Sequence, residues 1–372
     1  MNITIVAGAR PNFMKIAPII KSIQSARNDS CDIHYRLIHT GQHYDKKMSD
    51  DFFEQLGIPT PDKNLDCGGG SQAEQTGAIM VKFEKELTEF RPDVVLVVGD
   101  VTSTMACTIT AKKMCIDTVH VEAGIRSGDM TMPEEINRIV TDAITDHFFT
   151  TSSFANDNLN AMQVASDRIH FVGNTMIDSL YQNLDRLIQP SFWVQHGLKN
   201  NQYFLLTLHR PSNVDLPSKL SSILEAIMNA TSSYPVVFPV HPRTRTVLDS
   251  LKIDTNRLIM IEPQGYLEFI YLLKSAKAII TDSGGITEEA TVLHVPCLTM
   301  RNSTERPETI LHGTNELIGD NLLSLEENIR KIMSGSWKTG EVPEMWDGQT
   351  SQRIVQVLLS LYEKKNILEE AI

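Results

Sequence analysis

The chain has 372 residues, enough for two domains. Its formal net charge of −12 argues against a nucleic-acid surface, which relies on clustered Lys and Arg, while a small-anion site needs only a few local donors. No run reaches the roughly 18 apolar residues of a membrane span, and Met1–Gly8 reads as a strand rather than a secretory leader. The five cysteines (31, 67, 107, 115, 297) show no C-x-x-C or metal-finger spacing, so no metal is expected; an odd set of unpatterned thiols fits a reducing cytoplasm.

Strand-like and helix-like segments alternate along the chain. Ile3 to Ala7 is apolar and β-branched, Gly8-Ala9-Arg10-Pro11 turns, and about 14–26 has helical spacing. Tyr35 to His39 predicts a second strand. Val94 to Val98 predicts a fully buried one ending at Gly99-Asp100, followed by helical pattern from Thr104 to Met114. Thr118 to Val121, His147 to Thr150 and Arg168 to Val172 continue the series, and a long helix is expected over about 176–187. The alternation then restarts, with strands at Tyr203 to Thr207, Val236 to Pro239, Leu258 to Ile261, Ala278 to Thr281 and Cys297 to Met300, and a helix from Leu216 to Ala230. Doubly apolar strands separated by helices predict parallel sheets covered on both faces. The expectation is α/β, with two Rossmann-like domains facing a cleft: 1–174, joined by a returning C-terminal helix at about 351–372, and 175–350.

Ligands of open α/β sheets sit beyond the carboxyl ends of the strands. The notable polar residues fall there: Arg10, Gln42, His43, Asp100 and Glu122 in the first half, His209, Arg210, His241, Arg243, Tyr266 and Ser283 in the second. Such a distribution suggests one ligand held between the domains.

The stretch Thr281-Asp282-Ser283-Gly284-Gly285-Ile286-Thr287-Glu288-Glu289 ends a buried strand in Ser-Gly-Gly at a helix start. Free backbone N–H groups there suit a diphosphate, and Glu289 could accept hydrogen bonds from a ribose. An ordinary β-α turn with acids favouring the helix dipole reads equally well. Asp100, Glu122 and Glu134 could share general-acid and general-base work. Asp100 would also serve as a cap for a helix near Thr102, and Glu134 follows Pro133 where helix-start acids are ordinary. Glu122, between a buried strand and Ala123-Gly124, has no such structural explanation. Arg10 and Lys15 oppose the dipole of the first helix unless they hold a phosphate, although a solvated face also accommodates Lys15. His209 ends a strand beside Arg210 and could protonate or bind a leaving phosphate.

Taken together, Gly8-Ala9-Arg10-Pro11-Asn12-Phe13-Met14-Lys15, Gly41-Gln42-His43-Tyr44-Asp45, Gly99-Asp100-Val101-Thr102-Ser103-Thr104, His120-Val121-Glu122-Ala123-Gly124-Ile125-Arg126, Met132-Pro133-Glu134-Glu135-Ile136-Asn137-Arg138, Thr207-Leu208-His209-Arg210, Asp282-Ser283-Gly284-Gly285 with Glu288-Glu289, and Thr304-Glu305-Arg306-Pro307-Glu308 resemble the non-hydrolysing, bacterial type of UDP-N-acetylglucosamine 2-epimerase over nearly the whole chain. The resemblance implies a GT-B-like fold, a homodimer, a UDP-sugar substrate, no cofactor and no metal. It implies reversible conversion of UDP-N-acetylglucosamine to UDP-N-acetylmannosamine, by elimination of UDP to a 2-acetamidoglucal and re-addition, supplying surface-polysaccharide precursors. By resemblance Asp100, Glu122, Glu134 and His209 are catalytic. Arg10, Lys15, His241, Tyr266, Ser283, Gly284, Gly285 and Glu289 would bind substrate. Gln42 and His43 match the neighbourhood of an allosteric second substrate in some members. Asp45, where those members carry Gln, and the lack of Arg in 67–76 count against that activation. The alternatives are a hydrolysing 2-epimerase, a GT-B glycosyltransferase and a non-catalytic UDP-sugar sensor.

Overall fold

The computed structural model describes residues 1–41, 55–231, 234–240, 242–248 and 257–370, with the side chains of 10, 242, 243 and 365–370 excepted. The chain divides into two compact units, Met1–Gln182 with Glu344–Ile372, and Asn183–Pro343.

In the first unit the strands are β1 (Asn2–Ala7), β2 (His34–His39), β3 (Lys63–Asn64), β4 (Val94–Val98), β5 (Asp117–Ala123), β6 (His147–Thr150) and β7 (Ile169–Phe171). They form a parallel sheet in the order β3-β2-β1-β4-β5-β6-β7. All five residues of β4 are buried, because helices cover both faces of a parallel sheet. Strand order reverses between β1 and β4, the topological switch point at which such sheets bind ligands. The helix Gln72–Glu89, absent from the elements predicted above, starts in a capping box: the Ser71 hydroxyl accepts from Glu74 N, and Glu74 accepts from Ser71 N at 2.8 Å. Ser-x-x-Glu was a usable signal for it.

Residues 175–182 belong to the first unit, eight residues beyond the predicted boundary at 174. The helix Thr175–Asn183 is anchored there by Asp178, whose carboxylate accepts from Thr350 N (3.0 Å) and Ser351 N (2.7 Å) and so caps the C-terminal helix Thr350–Glu370. Trp346, 1 % exposed, donates its indole N–H to Thr151 O at 2.9 Å. Gly173 makes the return possible, since a Cβ there would lie 2.2 Å from Met345 O. The single helix expected over about 176–187 is broken at Asn183, after which Leu184–Arg186 forms a 3-10 turn.

The second unit contains β8 (Phe204–Thr207), β9 (Val236–Pro239), β10 (Leu258–Ile261), β11 (Ala278–Thr281), β12 (Cys297–Thr299) and β13 (Asn315–Leu317). They form a parallel sheet ordered β10-β9-β8-β11-β12-β13, with its own switch between β8 and β11. Phe204, Leu206, Phe238 and Ile280 pack with Leu220, Leu224 and Ile227 of the helix Pro217–Ala230 into a continuous core. This rigid underside holds the β8 and β11 ends where His209 and Ser283 emerge.

Candidate functional site

The carboxyl ends of β1, β4 and β5 gather the polar residues of the first unit. The helix Arg10–Asn28 begins directly after β1, and Asn12 folds back on its start, its Oδ1 accepting from Gly8 N (2.9 Å) and Ala9 N (3.0 Å). One turn on, Lys15 Nζ lies 2.5 Å from Glu122 Oε2, both side chains 11 % exposed. Lys15 is therefore paired with Glu122 and does not lie on a solvated helix face, one of the two readings the sequence allowed. Glu122 takes a left-handed φ of +75°, and the β5–β6 register shifts between Val121 and Ala123. Such a bulge turns a side chain out of the strand alternation. Gly99 also requires its residue type: its φ is +66°, and a Cβ would stand 2.9 Å from Lys15 Nζ.

Asp100 is not the helix cap that its position allows; the N-cap of Thr102–Lys113 is Val101. Its carboxylate instead accepts from Arg138 Nε (3.0 Å) and NH2 (2.6 Å), while its carbonyl accepts from Asn137 Nδ2 at 2.8 Å. Arg138 is oriented in turn by buried Glu135 at 2.7 Å. Glu135 also accepts from Ser127 N (2.9 Å) and Gly128 N (3.0 Å), closing the loop after β5. Burial alone would raise the Glu135 carboxyl; these donors and the Arg138 charge outweigh it and hold the group below its usual range. Glu134 is half-buried in the first turn of the same helix, Pro133–Ile144.

In the second unit Asp282, fully buried at the end of β11, organises the turn after β8. It accepts from His209 N (3.1 Å), Arg210 N (2.9 Å) and Asn213 Nδ2 (3.1 Å), and His209 Nδ1 lies 2.8 Å from Oδ1. Burial opposes ionisation of Asp282, but the His209 contact and these donors outweigh it and lower its carboxyl. An Asp on Nδ1 fixes the imidazole orientation and leaves Nε2 for another partner; the His209 side chain is 57 % exposed. Asp282, which orients His209, is a residue that single-residue scanning of the sequence overlooks. Its signal was the Asp at the strand end directly before Ser283-Gly284-Gly285.

Ser283 is the N-cap of the helix Gly284–Val292, with no side-chain cap bond. A Cβ at Gly284 would press on Arg301 NH1 at 3.1 Å, whereas one at Gly285 would meet nothing within 4 Å. Local packing therefore explains a glycine at 284 and not at 285. Glu288 pairs with Arg306 at 2.6 Å. Glu289 is 4 % exposed, with the Tyr266 hydroxyl beside its carboxyl, and its Oε1 accepts no well-formed hydrogen bond. Burial pushes the Glu289 carboxyl up to about 8, with Tyr266 opposing and the Glu288 charge adding.

Gln42, His43 and His241 lie outside the described residues, as do the side chains of Arg10 and Arg243. Among the described residues no group of three or more His, Cys, Asp and Glu is placed to hold a metal. No described helix is long and apolar enough to cross a membrane.

The family model for UDP-N-acetylglucosamine 2-epimerase matches residues 25–359. A UDP-N-acetylglucosamine 2-epimerase of Methanocaldococcus jannaschii is 40 % identical over 370 residues, covering 96 % of this chain and 99 % of that protein. A UDP-2,3-diacetamido-2,3-dideoxy-D-glucuronate 2-epimerase of Pseudomonas aeruginosa is 39 % identical over 365 residues, covering 97 % of this chain and all of the other. The crystal structure of a Neisseria meningitidis UDP-GlcNAc 2-epimerase bound to UDP-GlcNAc aligns with a TM-score of 0.86 at 30 % identity, covering 97 % of this chain and 100 % of that one. This chain belongs to the UDP-N-acetylglucosamine 2-epimerase family.

Proposed function

We propose that the chain is a non-hydrolysing epimerase that interconverts UDP-N-acetylglucosamine and UDP-N-acetylmannosamine. The observation that carries this reading is the pair of strand-end carboxylates, Glu122 and Asp100, each held against its own cation, Lys15 at 2.5 Å and Arg138 at 2.6 Å. The C2 proton of the sugar is not acidic. Departure of UDP must run ahead, breaking C1–O and building positive charge on the ring, before C2–H gives up its proton. Fixed carboxylates stabilise that charge and take the proton. Re-addition of UDP, with a proton returned to the opposite face of C2, completes epimerisation. Glu134 is the third carboxylate assigned to this exchange.

The second unit is assigned to UDP. Backbone N–H groups at Ser283, Gly284 and Gly285 take phosphate oxygens, and the open Gly285 position suits close approach of a ligand to the backbone. Glu289, whose Oε1 accepts no well-formed hydrogen bond, takes ribose hydroxyls beside Tyr266. His209, oriented by Asp282, donates Nε2–H to the departing diphosphate. Arg10 and His241 are assigned to substrate on the resemblance alone; Gln42 and His43 match the neighbourhood of a second, allosteric substrate, against which Asp45 and the lack of Arg in 67–76 count. A homodimer in the cytoplasm belongs to the same reading, and sedimentation equilibrium checks the dimer.

Incubation with UDP-N-acetylglucosamine in D₂O, followed by proton NMR, tests the reaction. The expected product is UDP-N-acetylmannosamine deuterated at C2. Free UDP with N-acetylmannosamine would replace this reading by the hydrolysing one. The near-equal identity to the diacetamido-glucuronate epimerase makes that UDP-sugar the second substrate to assay.

A further inference from the structure

His120 lies on β5, two residues before Glu122, with its side chain fully buried. Its Nδ1 stands 2.7 Å from Asp142 Oδ1 and its Nε2 stands 2.8 Å from Gly99 O. A backbone carbonyl only accepts, so Nε2 donates. Asp142 is engaged as an acceptor on its other oxygen, from Arg126 NH1 at 2.7 Å and from Gly124 N at 3.1 Å. Its Oδ1 faces the imidazole in the same role, so Nδ1 donates as well. A neutral imidazole supplies one donor; two acceptors require both ring protons.

We propose that His120 is a buried imidazolium and a positioning residue for the carboxylate pair. One ring nitrogen holds the Gly99 carbonyl, which precedes Asp100. The other holds Asp142, which secures Gly124, two residues after Glu122. A single ring thus ties together the turns after β4 and β5 and the helix Pro133–Ile144, which also supplies Arg138 to Asp100. The charged groups around it are Asp142 and Arg126 in direct sequence, with Arg138 and Glu135 nearer the start of that helix. The catalytic part of this inference rests on the epimerase reading; the charge state of the ring does not.

The test combines spectroscopy with two variants. In the full-length protein labelled with ¹⁵N-histidine, one ring is expected to show both nitrogens protonated at neutral pH, and to vanish from the spectrum of His120→Asn. A neutral-tautomer pattern for that ring overturns the proposal even if a variant fails to fold. Gln places its amide near Nε2 and keeps the Gly99 tether; Asn places it near Nδ1 and loses that tether. His120→Asn is expected to lower kcat about 100-fold, with KM and UDP affinity within about threefold, and His120→Gln to recover about tenfold of the loss. Folded variants with unchanged kcat, or with Asn more active than Gln, would overturn the positioning role. Wild-type protein inert toward every UDP-2-acetamido sugar would refute the epimerase reading, while the ring spectrum would still decide the imidazolium.

Discussion

At the carboxyl end of the first sheet, Glu122 and Asp100 each lie against a cation within 2.6 Å. At the carboxyl end of the second, Glu289 is more deeply buried, faces Tyr266 and the charge of Glu288, and keeps an Oε1 that accepts no well-formed hydrogen bond. Both sheets have the same parallel design and a switch point, so fold does not account for the contrast. A carboxylate that must meet developing positive charge and a proton needs a fixed position before substrate arrives, and an ion pair supplies it. A carboxylate that only recognises hydroxyls can remain unsatisfied until the ligand brings the donors. On the proposed reading, the difference separates a group poised for chemistry from one poised for binding.

The largest expected effect breaks the first side of that contrast. Glu122→Gln should lower kcat by about 10³-fold, with UDP affinity from calorimetry within about twofold of wild type; near-normal turnover would remove Glu122 from the chemistry. Lys15→Met removes the cation from the buried Glu122–Lys15 pair, so a loss of about 2–4 kcal/mol in denaturant stability is expected together with the loss of turnover. An unchanged midpoint would mean that the pair contributes little. In the second unit, Gly285→Ala adds a methyl where the protein itself has room and raises helix propensity. Stability should hold or rise slightly while UDP affinity falls about tenfold; retained affinity would place the diphosphate elsewhere.

The smallest effect is on pH dependence. The folded Glu289 carboxyl, at about 8, lies above its ordinary value of 4.5, so the folded state retains a proton that the unfolded chain releases. Its contribution to stability is therefore complete below about pH 4.5 and is lost as pH rises to about 8. Ribose hydroxyls favour the ionised form, so UDP binding should release protons at pH 7. Calorimetry in buffers of different ionisation enthalpy reads that release, and Glu289→Gln should abolish the Glu289 share of it. Equal proton release by wild type and variant would contradict the assignment.

Much of this arrangement was legible in the residues. Apolar runs ending in Gly99-Asp100, Glu122-Ala123-Gly124 and Asp282-Ser283-Gly284 locate the strand ends. Partners were less legible. Lys15 and Glu122 meet only because β1 and β5 flank β4 in the sheet and because the bulge at Glu122 redirects its side chain. Asp100 had an acceptable local partner in the following helix and takes a distant one, Arg138, because Asn137 and Glu135 fix that helix against the turn. Asp282 and His120 are short on local signal for the same reason: each acts through contacts with other strands and turns.

By itself the sequence determined the alternation of strands and helices, the glycine-marked turns and the chemical types at the strand ends, because periodicity and turn chemistry are local properties of the chain. Only the tertiary structure decided which charges compensate one another, which carboxylate is left unsatisfied, and that residues 175–182 join the first unit along with the C-terminal helix the sequence had already sent there. Those outcomes depend on strand order and burial, and desolvation makes a charge's neighbours across the fold matter more than its neighbours along the chain.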